Sequence, residues 1–409
     1  MIISRDGKSL GFVISSALVL FYLSDAANKY FQVRSSEINA EGEIFKDSFS
    51  VSIFFRLAFE VIFFYFIIRF YDKERKQGLI LIGALFCSFV IGSLVFLLSY
   101  YDSNYSLSYH LTLFNKYIFV FVIFYAIKDI VNNYEALDKI YLVFKKIYFV
   151  NSCLIILGLL LNVNLFKSYY NQDYRYGYSG LIPSINEATL FYMIGISLFY
   201  FNYIRQKKDL IILFVCICAS LLMGAKAMYL FLFLLLGYHI LFKANYSQKV
   251  VFSTILILGV IVLIPVLLSD KYSYLYDIFI YQYEKEGLLF TITSGRSFFV
   301  ITRFLENTDL WNFANYFFGG TDQLKFYIEM DFFDSFLFIG IIGNIFLFRL
   351  YFKTIFKNIK YKNFRFFFAC SFFLLSFLVG HFFASAINGL YLNISMIFMY
   401  AYENDRLAY

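Results

Sequence analysis

The sequence predicts an all-α polytopic membrane protein. Three observations carry that prediction. Of the 409 residues, 61% are apolar and only 15% charged, with a mean hydropathy of +0.69, whereas soluble domains are nearer one quarter charged. Apolar runs of about 20 residues recur along the whole chain, the length that spans roughly 30 Å of hydrocarbon. No period-two alternation marks a membrane barrel. The chain therefore reads as a single membrane domain over 1–409.

The predicted spans lie near 9–27, 49–71, 78–100, 108–130, 147–166, 186–204, 209–223, 226–243, 249–268, 332–352, 364–386 and 388–403, twelve in all. Lysine and arginine in the connections set the orientation. With the N-terminus inside, the inner connections are "DKERKQ" (72–77), 128–146, "RQKKD" (205–209), "KANYSQK" (243–249) and "RLYFKTIFKNIKYKNFR" (349–365). Each is basic. The outer "YDSNYSLSYH" (101–110) has neither lysine nor arginine. Both termini then face the cytoplasm. One connection stands apart: 269–331 forms a large outer loop between spans nine and ten and holds the only tryptophan, Trp311. Ordered loops of that length are usually functional. Within it "SGRSFFVITRFLE" (294–306) predicts a helix with Ser294 as cap.

The five cysteines all fall inside apolar runs, and three histidines offer no zinc spacing. No metal site and no cofactor are expected. Cys216 and Cys218, two apart on a helix, point to different faces.

Ionisable residues inside spans are costly and functional by default. Arg56 and Glu60 sit one turn apart in span two, Lys116 follows Asn115 in span four, Lys226 follows a Gly-x-Lys turn, and His381 stands in span eleven within "GHFFASAING". All but Glu60 are expected in the outer half of the bilayer. The plainer reading is an intrahelical Arg56–Glu60 pair with snorkelling lysines. Before span six, "YRYGYSG" (174–180) sets Arg175 beside two glycines that permit a tight turn. Asn186 and Glu187 then open a helix, and a helix N-terminus next to arginine suits phosphate. The plainer alternative is a surface arginine. In the large loop Arg296 and Arg303 lie on one side of the predicted helix. "EMDFFDSFLFIGIIG" (329–343) then places Glu329, Asp331 and Asp334 where the chain re-enters the membrane. Such a carboxylate can take a proton from a sugar hydroxyl, or simply complement a helix dipole.

The order of these segments, from Arg175 to Asn388, resembles the O-antigen polymerases of the O-antigen ligase/polymerase superfamily. "YRYGYSG" and "EMDFFDSFLFIGIIG" carry most of the resemblance, and the first five spans match in hydropathy alone. The resemblance implies a glycosyltransferase C-like membrane fold in the bacterial inner membrane, with an active site facing outward. It implies an enzyme that joins oligosaccharide repeat units carried on undecaprenyl diphosphate, using no nucleotide sugar. The partners would be that lipid-linked oligosaccharide, the bilayer and a chain-length regulator. No nucleic acid is expected. Arg175, Arg296, Arg303 and Lys226 are the candidates for the departing diphosphate. Tyr174, Tyr176, Tyr178 and Asn186 are the candidates for sugar. The expected base is Asp331, then Glu329, then His381. The related ligases carry a histidine near the position of Asp331, which tilts the reading to polymerase. The ligase, which transfers finished polymer to a lipid A core, remains one rival. A flippase for the same lipid-linked sugars is another, and a membrane protein with no chemistry is the third.

Overall fold

The computed structural model describes residues 2–38, 51–99, 105–169, 176–245, 295–359 and 363–403, with scattered positions between 280 and 293. The longer helices are α1 (Ile2–Ile38), α2 (Val51–Arg69), α3 (Lys73–Ser99), α4 (Leu107–Ile127), α5 (Tyr134–Leu161), α6 (Ile185–Gln206), α7 (Leu210–Leu221), α8 (Lys226–Phe242), α9 (Asp331–Lys353), α10 (Phe364–Leu378) and α11 (Ala386–Glu403). Among the described residues no strand forms, and one isolated antiparallel bridge joins Lys167 to Tyr178. Six of the described helices are long and apolar enough to cross a membrane, α1 to α5 and α9. The protein is thus an all-α, multi-pass membrane protein. Each predicted span except 249–268, which lies outside the described residues, coincides with a helix.

Several boundaries differ from the predicted ones. The first helix continues to Ile38, so Asp25 and Lys29 lie within it. Residues 134–146, expected as connection, are the start of α5, where Asn133 caps the helix by accepting from the Ala136 amide. The eleventh span ends at Leu378, and His381 sits in the following loop with φ +75. The predicted helix in the large loop begins at Arg296, with Gly295 in the cap position at φ +87. Ser294 lies outside the described residues.

The bundle sorts its helices by polarity. On α2, Val61 and Ile68 are each 71% exposed, and on α3 Leu98 is 87% exposed. Large apolar side chains left bare at that level suit lipid. By contrast α6 is buried without a break from Ala188 to Asn202, and α11 from Ala386 to Met399. These two pack on each other, and α11 also packs on α4. They carry serine, asparagine and tyrosine because they meet protein on every side. Asn393 Nδ2, for example, donates to the Val120 and Gly389 carbonyls, each at 2.8 Å.

The segment ahead of α9 folds onto the bundle. A helical stretch, Arg296–Phe299, a π turn over Val300–Phe304 and Leu305–Asp309, is followed by Phe313–Phe318 and Gln323–Phe326. Trp311, Ile328 and Met330 bury against Phe96 and Leu337. Gly340 breaks α9 with φ +65, ψ −170. A Cβ there would meet the Phe317 carbonyl at 2.4 Å, so only glycine fits.

Candidate functional site: a charged chamber at one end of the bundle

The ends of α1 and the starts of α2, α6, α9 and α11 meet at one end of the bundle. The 176–182 loop is anchored there first. Lys29, with no exposed surface, donates to Ser179 Oγ at 2.8 Å and the Gly180 carbonyl at 2.6 Å. Asn151 of α5 accepts from the Leu181 amide (3.0 Å) and the Tyr22 hydroxyl (3.0 Å) and donates to the Ser179 carbonyl (3.3 Å). Buried polar groups are costly unless so satisfied. The loop also presses on the turn before α8. A Cβ on Gly224 (φ +72) would lie 2.1 Å from the Tyr176 carbonyl, and the Tyr178 amide donates to Leu222 O at 2.9 Å.

Charges gather beneath this loop. Arg56 does not pair with Glu60. Its Nη2 contacts both oxygens of Asp25, at 2.7 and 2.9 Å, with side-chain exposures of 15% and 4%. Glu60 instead accepts from Asn115 Nδ2 at 2.8 Å. The α1–α2 contact brings Asp25 to Arg56, a long-range partner that turn-by-turn spacing does not reveal. Lys116 makes no hydrogen bond or ion pair among the described residues, and it lies in the electrostatic field of Glu187, Arg56 and Asp25. Glu187, in the first turn of α6, accepts from Ser385 Oγ at 3.4 Å, and its carbonyl accepts from Asn388 Nδ2 at 2.9 Å. It interacts with Asp25, Lys116 and His381 together.

Two carboxylates shape the opposite wall. Asp331 accepts from the backbone amides of His381 (2.8 Å), Phe382 (2.7 Å) and Phe383 (3.1 Å). Asp334 accepts from those of Ile328 (2.8 Å) and Met330 (2.9 Å). The two loops so pinned carry Glu329 at φ +66 and His381 at φ +75. A left-handed, non-glycine residue costs about 1–3 kcal/mol and persists only where its surroundings hold it. Gly380 lets the loops touch, since a Cβ there would sit 2.9 Å from Glu329 backbone. Arg296 reaches Glu329 Oε2 at 3.2 Å, with side-chain exposures of 18% and 46%. Arg303 donates to the Tyr327 carbonyl and stacks over Phe299, 4.2 Å from the ring centroid. The Tyr327 hydroxyl lies 3.2 Å from His381 Nδ1. Burial and the nearby Asp334 and Asp331 carboxyls push that hydroxyl above its ordinary range, and which partner donates depends on the His381 tautomer.

The structure therefore brings Arg296, Glu329, His381, Arg56 and Lys116 into one neighbourhood, linked by Glu187. It treats other candidates differently. Asp331, expected as the base, has its two oxygens occupied by three amides and acts as a clamp. Lys226 turns to the Thr291 carbonyl at 2.8 Å. Tyr178 is buried, with its hydroxyl 3.3 Å from Asn162 Oδ1, so its ring is packing and offers no face to a ligand. Tyr176 is exposed and Asn186 half-buried. Arg175 and Tyr174 lie outside the described residues. The residues missed were Asp25, which lies inside the predicted first span but was not singled out, and Lys29, two residues past the predicted end at 27. Their i, i+4 spacing at that boundary was the available signal. Among the described residues, no group of three His, Cys, Asp or Glu side chains is placed to hold a metal ion.

No protein-family model matches the chain, and neither a curated protein nor a solved structure is detectably similar to it.

Proposed function

We propose that the protein is a polysaccharide polymerase, making O-antigen or capsule, that joins undecaprenyl-diphosphate-linked oligosaccharide units on the outer face of the bacterial inner membrane. The observation that carries the reading is the clustering of charge at this end. Charged side chains from α1, α2, α4, α6 and two clamped loops converge at one end of an apolar bundle, while the helix ends across the bundle bear most of the basic connections. By the positive-inside rule those basic connections are cytoplasmic, and the chamber faces outward.

The chemistry asks for three things at that level. An acceptor sugar hydroxyl attacks the anomeric carbon of the donor. The bond from that carbon to the diphosphate oxygen breaks, and the hydroxyl proton passes to a base. The leaving diphosphate then needs cations in a place of low dielectric. Lys116, which has no direct partner among the described residues, and Arg296 are suited to that task, and Arg175 remains a third candidate from the sequence. A diphosphate that takes Arg296 from Glu329 releases a half-exposed carboxylate beside the acceptor. Glu329 then accepts the proton, and His381, hydrogen-bonded to Tyr327, orients it or takes the proton onward. Asp331 keeps both loops in register. No metal and no nucleotide enter this scheme.

The test is a polysaccharide ladder from cells carrying Lys116→Met, Arg296→Ala or Arg175→Ala at normal expression. Each is expected to shorten or abolish the ladder, and a full ladder from all three overturns the reading. A null strain adds the discrimination. Single repeat units attached to the cell surface mean polymerase, unattached long polymer means ligase, and units held on the cytoplasmic side mean flippase.

A further inference from the structure

The end of the bundle opposite the chamber holds a second polar concavity. α6 runs from Glu187 at the chamber to Arg205 in its last turn, about 27 Å at 1.5 Å per residue. There a cavity of about 610 Å³ is lined by Arg205, Asn358, Asn363, Arg365, Tyr400 and Glu403. A smaller one of about 210 Å³ shares Arg365 and Tyr400; Phe124, Val131, Ile355, Met396 and Ile397 give it an apolar floor, and Glu74, Lys128, Asp129, Asn132 and Lys357 a charged and polar rim.

Arg365 is the hinge of both. Its side chain is 3% exposed. Nη1 donates to Glu403 at 3.1 Å and Nη2 to the Lys357 carbonyl at 2.8 Å, and the guanidinium stands 5.4 Å from the Tyr400 ring centroid. Nε has no partner. A buried guanidinium N–H left unmade is expensive, so its position asks for a ligand. Arg205 uses Nη1 on the Tyr402 carbonyl at 2.7 Å and retains further donors. Among the described lining residues, two guanidinium groups stand against one carboxylate. The N-terminus of α10 opens there too. Its cap residue Asn363, which lines the cavity, makes no side-chain capping bond. Guanidinium groups beside a helix N-terminus are a phosphate-binding arrangement, and an apolar floor next to it suits a chain attached to that phosphate.

We propose that this concavity binds the phosphate of an anionic lipid headgroup, with the acyl or prenyl chain leaving along the apolar floor. The site is independent of the chamber and of the reaction proposed for it.

The experiment is native mass spectrometry of the full chain in detergent, titrated separately with phosphatidylglycerol, phosphatidylcholine and glycerol 3-phosphate. Wild type is expected to retain one phosphatidylglycerol in preference to phosphatidylcholine. Arg205→Gln and Asn363→Asp are expected to weaken that retention about tenfold, the value of one lost charge-assisted contact. Arg205 is exposed, and aspartate is a good helix cap, so both variants are expected to fold where Arg365→Gln risks the pair with Glu403. Equal retention of the two lipids, or retention unchanged in both variants, overturns the proposal. So does glycerol 3-phosphate binding as tightly as phosphatidylglycerol, which assigns the cavity to a soluble phosphoester.

Discussion

The two ends of this bundle handle charge in opposite ways. At the basic end, ions are paired with ions at the helix termini. Lys128 reaches Asp72 at 2.6 Å and Glu74 at 3.1 Å, Lys357 reaches Glu74 at 2.7 Å, and Arg75 reaches Asp129 at 2.7 Å. Most of the acids there are a third to a half exposed. At the chamber, carboxylates bind backbone amides, Arg56 pairs with a buried Asp25, and Lys116 has no direct partner among the described residues. Exposed pairs at a wet boundary, such as Lys357 with Glu74, contribute little, and the buried Arg365–Glu403 pair is the exception at that end. Charges held apart inside a bundle are a standing cost, and that contrast supports the proposal that a substrate completes the electrostatics there.

The contrast is most directly broken at Asp331. Asp331→Ala strips three amides of their acceptor at about 1.5–3 kcal/mol per bond to a charged group. The expected result is the largest loss of stability among these variants, read from unfolding of the purified protein in detergent. Wild-type stability would mean the carboxylate is no clamp, and the catalytic assignment would return. Next in size, Asp25→Ala leaves Arg56 uncompensated and is expected to cost about 3–5 kcal/mol. Combining Asp25→Asn with Arg56→Met should recover much of that loss. If the double variant is no better than the single one, the two residues do not form the pair.

Lys116→Met sharpens the comparison from the other side. It removes a cation without a direct partner, so stability should hold or rise slightly while polymer formation falls about 100-fold, as when one transition-state donor is lost. Parallel loss of fold and product would make Lys116 structural. The smallest effect belongs to the far end. Lys139→Ala breaks an exposed i, i+4 pair with Glu135 and is expected to cost about 0.3–0.5 kcal/mol, with product unchanged. A large loss there would remove the distinction between the ends.

Apolar run length and lysine placement were enough to reveal an all-helical membrane protein, because hydrocarbon demands internally bonded backbone and long greasy segments. The same logic located Arg56, Lys116 and His381 as ionisable residues inside apolar spans, while Arg296 and Glu329 were drawn from the large loop and its re-entry into the membrane. Local spacing misassigned the partners. Arg56 and Glu60 look like a pair one turn apart, yet each finds its partner on another helix, at Asp25 and Asn115. Nothing near Asp331 in the chain announces that it will collect amides from 381–383, some fifty residues on.

Composition and periodicity by themselves determined what the helices are immersed in and roughly where each begins, since transfer to lipid acts on one segment at a time. Which charges meet, which carboxylate clamps a loop and which lysine stands alone was decided only by the packing of α1, α2, α4, α6 and α11. Those contacts depend on how separate helices approach, and a hydrogen bond forms with whatever donor the neighbouring backbone delivers.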